Sequence, residues 1–216
     1  MSAESLSIID KGSYIEICDD KDIKEREKKK IKNLLIGATG SVASIKIPLL
    51  VKSLLELDSN LSIKVCVTTH ASHFFDPNTL NLETGVQVFT DQDEWKDWNK
   101  ISDPILHIEL RNWADAFILA PLDANTLAKI ANGLCDNLIT CVLRAWDFTK
   151  PVIVCPAMNT NMWNHPFTAK HLKVLVEELG YIVVPPISKK LACGDLGVGA
   201  MAEYVTIVNY VRENLI

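Results

Sequence analysis

The 216-residue sequence contains no CxxC pair among its six cysteines, at positions 18, 66, 135, 141, 155 and 193, and no charged-then-apolar leader at its N-terminus. The cysteines therefore read as cytosolic thiols, and a cytoplasmic protein is expected. No apolar run approaches bilayer length, which predicts a soluble chain. Outside the first thirty or so residues there is no basic stripe, and the net charge is −5. Nucleic acid and anionic membranes are thus not expected as partners, whereas small anions remain open. His70 and His73 stand at helical spacing, but no third Cys, His or carboxylate lies at ligand spacing from them, so no metal is expected.

What is present is apolar and ordered. With 48% hydrophobic and 23% charged residues, the chain suits one well-buried domain. Residues 1–31 form a charged extension: eight acidic and eight basic side chains fall within the first 32 positions, and "KDIKEREKKKIK" is nearly devoid of apolar residues. From Lys32 the pattern changes to strand-length apolar runs, "NLLIGA", "SIKVCV", "VQVFT", "DAFILAP", "KPVIVCP" and "GYIVVPP". Helical patterns such as "SVASIKIPLLVKSLLEL", "TLAKIANGL" and "PFTAKHLKVLVEELG" lie between most of them. Short strands apolar on both faces and separated by helices predict a doubly wound α/β domain with a parallel sheet over residues 32–216. The Gly-rich tail "KKLACGDLGVGAMAEY" breaks this pattern, which predicts a loop or flap at about 188–204.

In such a sheet, ligands bind beyond the carboxyl ends of the strands. Four segments fall there. "GATGSVA" is neither a GxGxxG turn nor a Walker loop; Gly40 allows close approach and Ser41 can cap a helix or meet a phosphate, so it reads either as a capped turn or as an anion loop. "APLDANTLAKIANG" reads as an N-cap, with Asn125 and Thr126 as additional phosphate donors and Asp123 as a carboxylate that a phosphate would repel. In "PAMNTNMW", Asn159 offers an amide for a carboxylate, and Met162 and Trp163 offer either pocket walls or ordinary core. In "LACGDLGVGAM", Cys193 is either a mobile proton donor or an inert small hydrophobe. His107, after Pro104, reads as a helix-start residue facing solvent or a neighbouring subunit; His165 and His171 read as loop and helix-surface residues.

The order and spacing of "GATGSVASIK", "APLDANTLAKIANGLCDNLIT", "PAMNTNMW" and "LACGDLGVGAMAE", from about Lys32 to Tyr204, resemble the eukaryotic phosphopantothenoylcysteine decarboxylases, which are flavin-dependent cysteine decarboxylases. The resemblance implies a flavodoxin-like fold, a homotrimer, and FMN and substrate at the interface between protomers. Gly40, Ser41, Val42, Thr68, Asp123, Ala124, Asn125, Thr126 and Ala157 would then bind FMN. Asn159 and Met162 would hold the substrate carboxylate and the flavin face, and Lys190, Ala192 and Met201 the phosphopantothenoyl arm. His107 would be the catalytic base and Cys193 the proton donor. Asp123 replaces the family's usual Ser, Lys190 stands where Arg is frequent, and Ala200 matches the eukaryotic type. Some fungal relatives instead act as phosphatase-binding regulators and typically lack the His or the Cys; this chain has both. Peptidyl-cysteine decarboxylases and flavin prenyltransferases, of the same superfamily, lack the Cys-bearing flap.

Overall fold

Leu34, Leu35 and Ile36 are consecutive in the first strand and all fully buried. Successive strand side chains point to opposite faces, so all three can be buried only if both faces of the sheet are covered. The computed structural model describes residues 30–191, 194 and 196–216, and it shows that arrangement. Residues 1–29 of the charged extension, together with Ala192, Cys193 and Asp195, lie outside the described residues.

The strand β1 (Asn33–Ala38) leads through a 3₁₀ turn, Val42–Lys46, into α1 (Ile47–Leu57). Next come β2 (Ser62–Val67), α2 (Pro77–Thr84), β3 (Gln87–Thr90), α3 (Leu106–Trp113) and β4 (Ala116–Leu122). They are followed by α4 (Ala124–Ala131), α5 (Leu138–Arg144), β5 (Val152–Pro156), the single-turn α6 (Thr160–Trp163) and α7 (Pro166–Lys173). The chain closes with β6 (Ile182–Val183), β7 (Ile187–Lys190), β8 (Leu196–Ala200) and α8 (Tyr204–Asn214). Among the described residues no helix is long and apolar enough to cross a membrane.

Six strands form one parallel sheet in the order β3-β2-β1-β4-β5-β6. On one face Leu34, Ile36, Val65 and Ile118 pack with Ile47, Leu50 and Leu54 of α1 and Ile207 and Val211 of α8. On the other, Leu35, Phe117 and Val154 pack with Leu127 of α4, Ile139 and Val142 of α5, and Leu175. The doubly wound single domain expected from the strand and helix pattern is therefore present. Its strand order reverses between β1 and β4, so the loops leaving these two strands diverge and open a crevice at the carboxyl edge.

Two regions differ from the sequence expectation. The glycine-rich tail is not an irregular loop: β7 and β8 pair antiparallel within it. The periodic segment from Pro166 is helical only to Lys173 before it widens into a π-helical turn over Val174–Glu178. Helix α8 was not anticipated; its Val- and Ile-rich sequence lowers helix propensity, and packing of Ile207, Val208 and Val211 against the sheet overrides that.

Cys66 in β2 and Cys155 in β5 are fully buried, and burial pushes both thiols far above their ordinary pKa, with Glu94 and Asp91 adding to the effect at Cys66. Because the thiolate is the reactive species, both should stay unmodified by iodoacetamide in the native protein. Mass mapping should find them alkylated only after unfolding.

Candidate active site

The exits of β1 and β4 are joined by one buried side chain. The Thr39 hydroxyl, fully buried, donates to the Pro121 carbonyl at 2.9 Å and accepts the Asp123 amide at 2.7 Å. The Thr39 carbonyl in turn accepts the Ser41 amide at 2.7 Å and the Ser44 hydroxyl at 2.9 Å. The two loops are thereby held in one relative position. Gly40 lies where they meet the exit of β2: a Cβ there would come within 2.8 Å of the His70 Cβ and 3.0 Å of Asp123 Oδ2. Only glycine fits so close an approach.

Asp123 is the N-cap of α4, and its Oδ1 accepts the Thr126 amide at 2.7 Å. That bond gives the carboxylate a structural role and removes the Thr126 amide from the donors available to a ligand. Ser41 is similarly engaged, accepting the Ala43 amide at 3.3 Å at the start of the 3₁₀ turn.

A cleft of about 490 Å³ opens along this edge. Gly40, Ser41 and Val42 line it from the β1 exit; Asp123, Ala124 and Asn125 from the β4 exit; Ala157, Met158, Asn159 and Met162 from the β5 exit. Lys190, Met201, Lys189, Gly199 and Ala200 come from the β7–β8 hairpin and the residue after it. The cleft thus collects eleven of the residues singled out in the sequence. Thr68 and Thr126 border instead a smaller space of about 190 Å³, which also touches Asp123 and Asn125. His107 lines neither space, and Ala192 and Cys193 lie outside the described residues.

The segment "PAMNTNMW" departs from β5 as a turn. The Ala157 amide donates to the Leu122 carbonyl at 2.9 Å, and Asn159 caps α6, its Oδ1 accepting the Asn161 amide at 2.8 Å. Met162, 48% exposed, faces the cleft. Trp163 packs against the core layer on the α4–α5 side; the buried Met158 takes its place as a cleft wall.

The hairpin is pinned over this turn. The Gly199 carbonyl accepts the Met158 amide at 2.8 Å. Gly199 has φ +144°, and a Cβ on it would lie 2.3 Å from the Met158 carbonyl oxygen, so no other residue fits. At the rim Glu203 bridges two cleft lysines, accepting from Lys46 at 2.5 Å and from Lys189 at 2.8 Å. These hydrogen bonds, the one from Lys189 the stronger influence, hold the Glu203 carboxyl down to about 2, and the same contact raises Lys189. One carboxylate against Lys46, Lys189 and Lys190 leaves the rim positive. The cleft therefore offers an apolar wall, an amide and a cationic rim, a composition suited to an anionic ligand with an apolar body.

His107 is the second residue of α3, and its Nδ1 lies 2.5 Å from Oε1 of Glu94; the two side chains are 20% and 7% exposed. Sequence reasoning had missed Glu94, Thr39, Lys46, Met158, Lys189 and Glu203. Thr39, Lys46, Met158, Lys189 and Glu203 stand inside the quoted motifs without having been singled out, whereas nothing local marks Glu94.

A profile of the flavoprotein family matches residues 22–216. The phosphopantothenoylcysteine decarboxylase of Mus musculus is 53% identical over 182 residues, covering 84% of this chain and 86% of its own. The protein of that name from Arabidopsis thaliana is 55% identical over 179 residues, covering 83% of each. Among solved structures, a mutant PPC decarboxylase complexed with pantothenoylaminoethenethiol is 54% identical, with a TM-score of 0.79 over 86% of this chain and 98% of that one. The FMN-binding protein AtHal3 is also 54% identical, with a TM-score of 0.75 over 84% and 95%.

Thr39→Val keeps the shape of the side chain but leaves the buried Asp123 amide without its acceptor. It should lower stability by about 1–3 kcal/mol in urea unfolding, with Thr39→Ser near wild type. For Glu203 the folded pKa lies below the ordinary 4.5, so its stabilisation is present above that pH and is lost as pH falls toward 2. The stability gap between wild type and Glu203→Gln should accordingly be full at neutral pH, small because the pair is solvent-screened, and close on acidification from pH 4.5.

Proposed function

The chain belongs to the phosphopantothenoylcysteine decarboxylases, within the flavoprotein family, and from that membership we propose that it works in the cytosol as a homotrimer whose neighbouring protomers complete each active site. It is an FMN-dependent carboxy-lyase that converts phosphopantothenoylcysteine to phosphopantetheine, a step of coenzyme A biosynthesis.

The observation that carries the shared site is the position of His107, outside the cleft of its own chain. Trp95, Trp98 and Ile101, in the segment leading to α3, are 61%, 42% and 89% exposed, an apolar surface beside His107 that a second protomer would cover. His107 of one copy then reaches the cleft of the next.

The residues present fit FMN. Gly40 permits backbone approach, Asn125 supplies a side-chain amide, and Ala157, Met158 and Met162 supply an apolar wall. Gly40, Ser41, Val42, Ala124 and Asn125 would hold it with Ala157. Asp123 and Asn125 border both spaces, which brings Thr68 and Thr126 within the same site. Asp123 contributes by organising the loop, since its Oδ1 is committed to the Thr126 amide. Bound FMN would supply the electron sink that a saturated, thiol-bearing carbon lacks, taking a hydride from that carbon so that an acceptor stands beside the carboxyl-bearing carbon, and giving it back afterwards.

The chain's own residues have separate tasks. Asn159 and Met162 hold the substrate carboxylate against the apolar wall, and Lys190, Ala192 and Met201 hold the phosphopantothenoyl arm at the cationic rim. His107 accepts the proton released when the thiol-bearing carbon is oxidised. After carbon dioxide has left, Cys193 donates the proton that turns the ene-thiolate back into a saturated thiol. His107 and Cys193 are both present, as the self-sufficient enzyme requires.

His107→Asn and Asn159→Asp should each be inactive while remaining trimeric by light scattering. Co-expressed in equal amounts, they should recover activity, because about a quarter of random interfaces pair an intact His107 with an intact Asn159. A mixture as inactive as its parents would place the whole site in one protomer. Cys193→Ser should still release carbon dioxide but stall with an unsaturated product two hydrogens lighter than phosphopantetheine.

A further inference from the structure

We infer that Glu94 is a positioning residue for His107: it takes the hydrogen on Nδ1 and so leaves Nε2 as the atom that accepts the substrate's proton. This rests on the assignment of His107 as the base. Glu94 follows directly on a rigid turn. The 3₁₀ segment Asp91–Asp93 is closed by a reciprocal cap in which Asp93 Oδ2 accepts both the amide and the hydroxyl of Thr90, each at 2.8 Å. Asp91 ties the same turn to two further elements, accepting the Leu138 amide of α5 at 3.0 Å and the Thr69 hydroxyl at 3.2 Å. The Glu94 backbone is therefore fixed from three sides before its side chain meets His107.

The carboxylate itself is poorly placed for stability. It is 7% exposed, its Oε1 meets His107 Nδ1 at 2.5 Å, and its Oε2 is buried without a hydrogen-bond partner among the described residues. An unsatisfied buried oxygen costs free energy that an apolar residue of the same size would avoid. The charged and titratable groups around it offer little compensation. Asp91 is a like charge, and the thiols of Cys66 and Cys141 are pushed up chiefly by burial and then by the Glu94 charge, Cys141 to about 11. Lys64 acts on Cys66 but lies over the Trp113 ring, 4.5 Å from its centroid. The one side-chain hydrogen bond of Glu94 among the described residues runs to His107.

A neutral imidazole carries one ring hydrogen, and the hydrogen bond made by one nitrogen decides the state of the other. An ionised carboxylate accepts only, so contact at Nδ1 places the hydrogen there and frees the Nε2 lone pair. The His107 side chain as a whole is 20% exposed, so it is not sealed into the core with Glu94.

The test uses full-length, FMN-loaded protein with ¹⁵N-labelled histidine. Of the five histidines, His107 is assigned by the signal lost in His107→Asn. In wild type above the imidazole pKa, Nδ1 should carry the hydrogen. Glu94→Gln retains an oxygen acceptor and should keep that tautomer with a modest loss of kcat. Glu94→Ala should shift the ring toward the Nε2–H form and lower kcat by about 10–100-fold, the size typical of losing a group that orients a functional histidine, with KM, flavin spectrum and trimer size unchanged. A wild-type ring protonated on Nε2, with Glu94 donating to Nδ1, overturns the proposal whether or not the Ala variant folds. A wild-type kcat in Glu94→Ala overturns it too. An active His107→Asn would instead remove the base assignment, a separate failure.

Discussion

Thr39 holds the exits of β1 and β4 together through its buried hydroxyl and its backbone amide, which also donates to the Pro121 carbonyl, and the cleft takes its position from that junction. The doubly wound order makes these exits diverge, which creates the crevice but leaves two loops with nothing regular to fix them. Thr39 answers both needs at once by donating to one loop's carbonyl and accepting the other's amide. Gly40 and Asp123 are then brought within contact of each other, and the start of α4 is capped at the same point.

The remainder of the cleft is assembled outward from this junction by backbone contacts. Leu122, at the end of β4, accepts the Ala157 amide and so fixes the turn that carries Asn159 and Met162. Met158 in that turn donates to Gly199, which fixes the hairpin. Glu203 then ties the hairpin's Lys189 to Lys46 beside the β1 exit, closing the circuit. Each connection is between residues distant in sequence, so the geometry at the rim depends on the whole sheet being formed. The cationic rim is a by-product of that closure: Lys46 and Lys189 share the Glu203 carboxylate, and Lys190 lines the same cleft, so lysines outnumber the carboxylates Glu203 and Asp123 there.

His107, the proposed base, stands apart from this cleft. His107 is carried on α3, on the α5 side of the sheet, against a buried carboxylate and away from its own chain's cleft. In the proposed trimer the base comes from a neighbouring protomer, which would tie catalysis to assembly, since an isolated chain would hold ligand without its base. Association of that kind would also exclude water from the reacting centre, which one shallow cleft could not do.

Much of this was legible in the residues themselves. Hydrophobic period gave the parallel sheet, because a strand buried on both faces must be apolar at consecutive positions, as Leu34 to Ile36 are. The four loop motifs could be found because they lie at strand ends, where composition changes abruptly, and eleven of the residues chosen from them and the tail line one cleft. Two features were not legible. The tail's β-hairpin depends on Gly197 and Gly199 packing against Thr160 and Met158, contacts that no local pattern encodes. Glu94 stands in a charged stretch, "DQDEW", that reads as solvated surface; only the folding of the β3–α3 connection against α5 buries it beside His107. Sequence alone determined the six strands of the parallel sheet and helices such as α1, α4 and α7, since these follow from periodicity and turn chemistry within a few residues, but not α8 or the β7–β8 hairpin. Tertiary structure alone decided which polar side chains meet, because hydrogen bonds such as Thr39 to Asp123 and Glu94 to His107 join residues whose separation in the chain carries no signal of their contact.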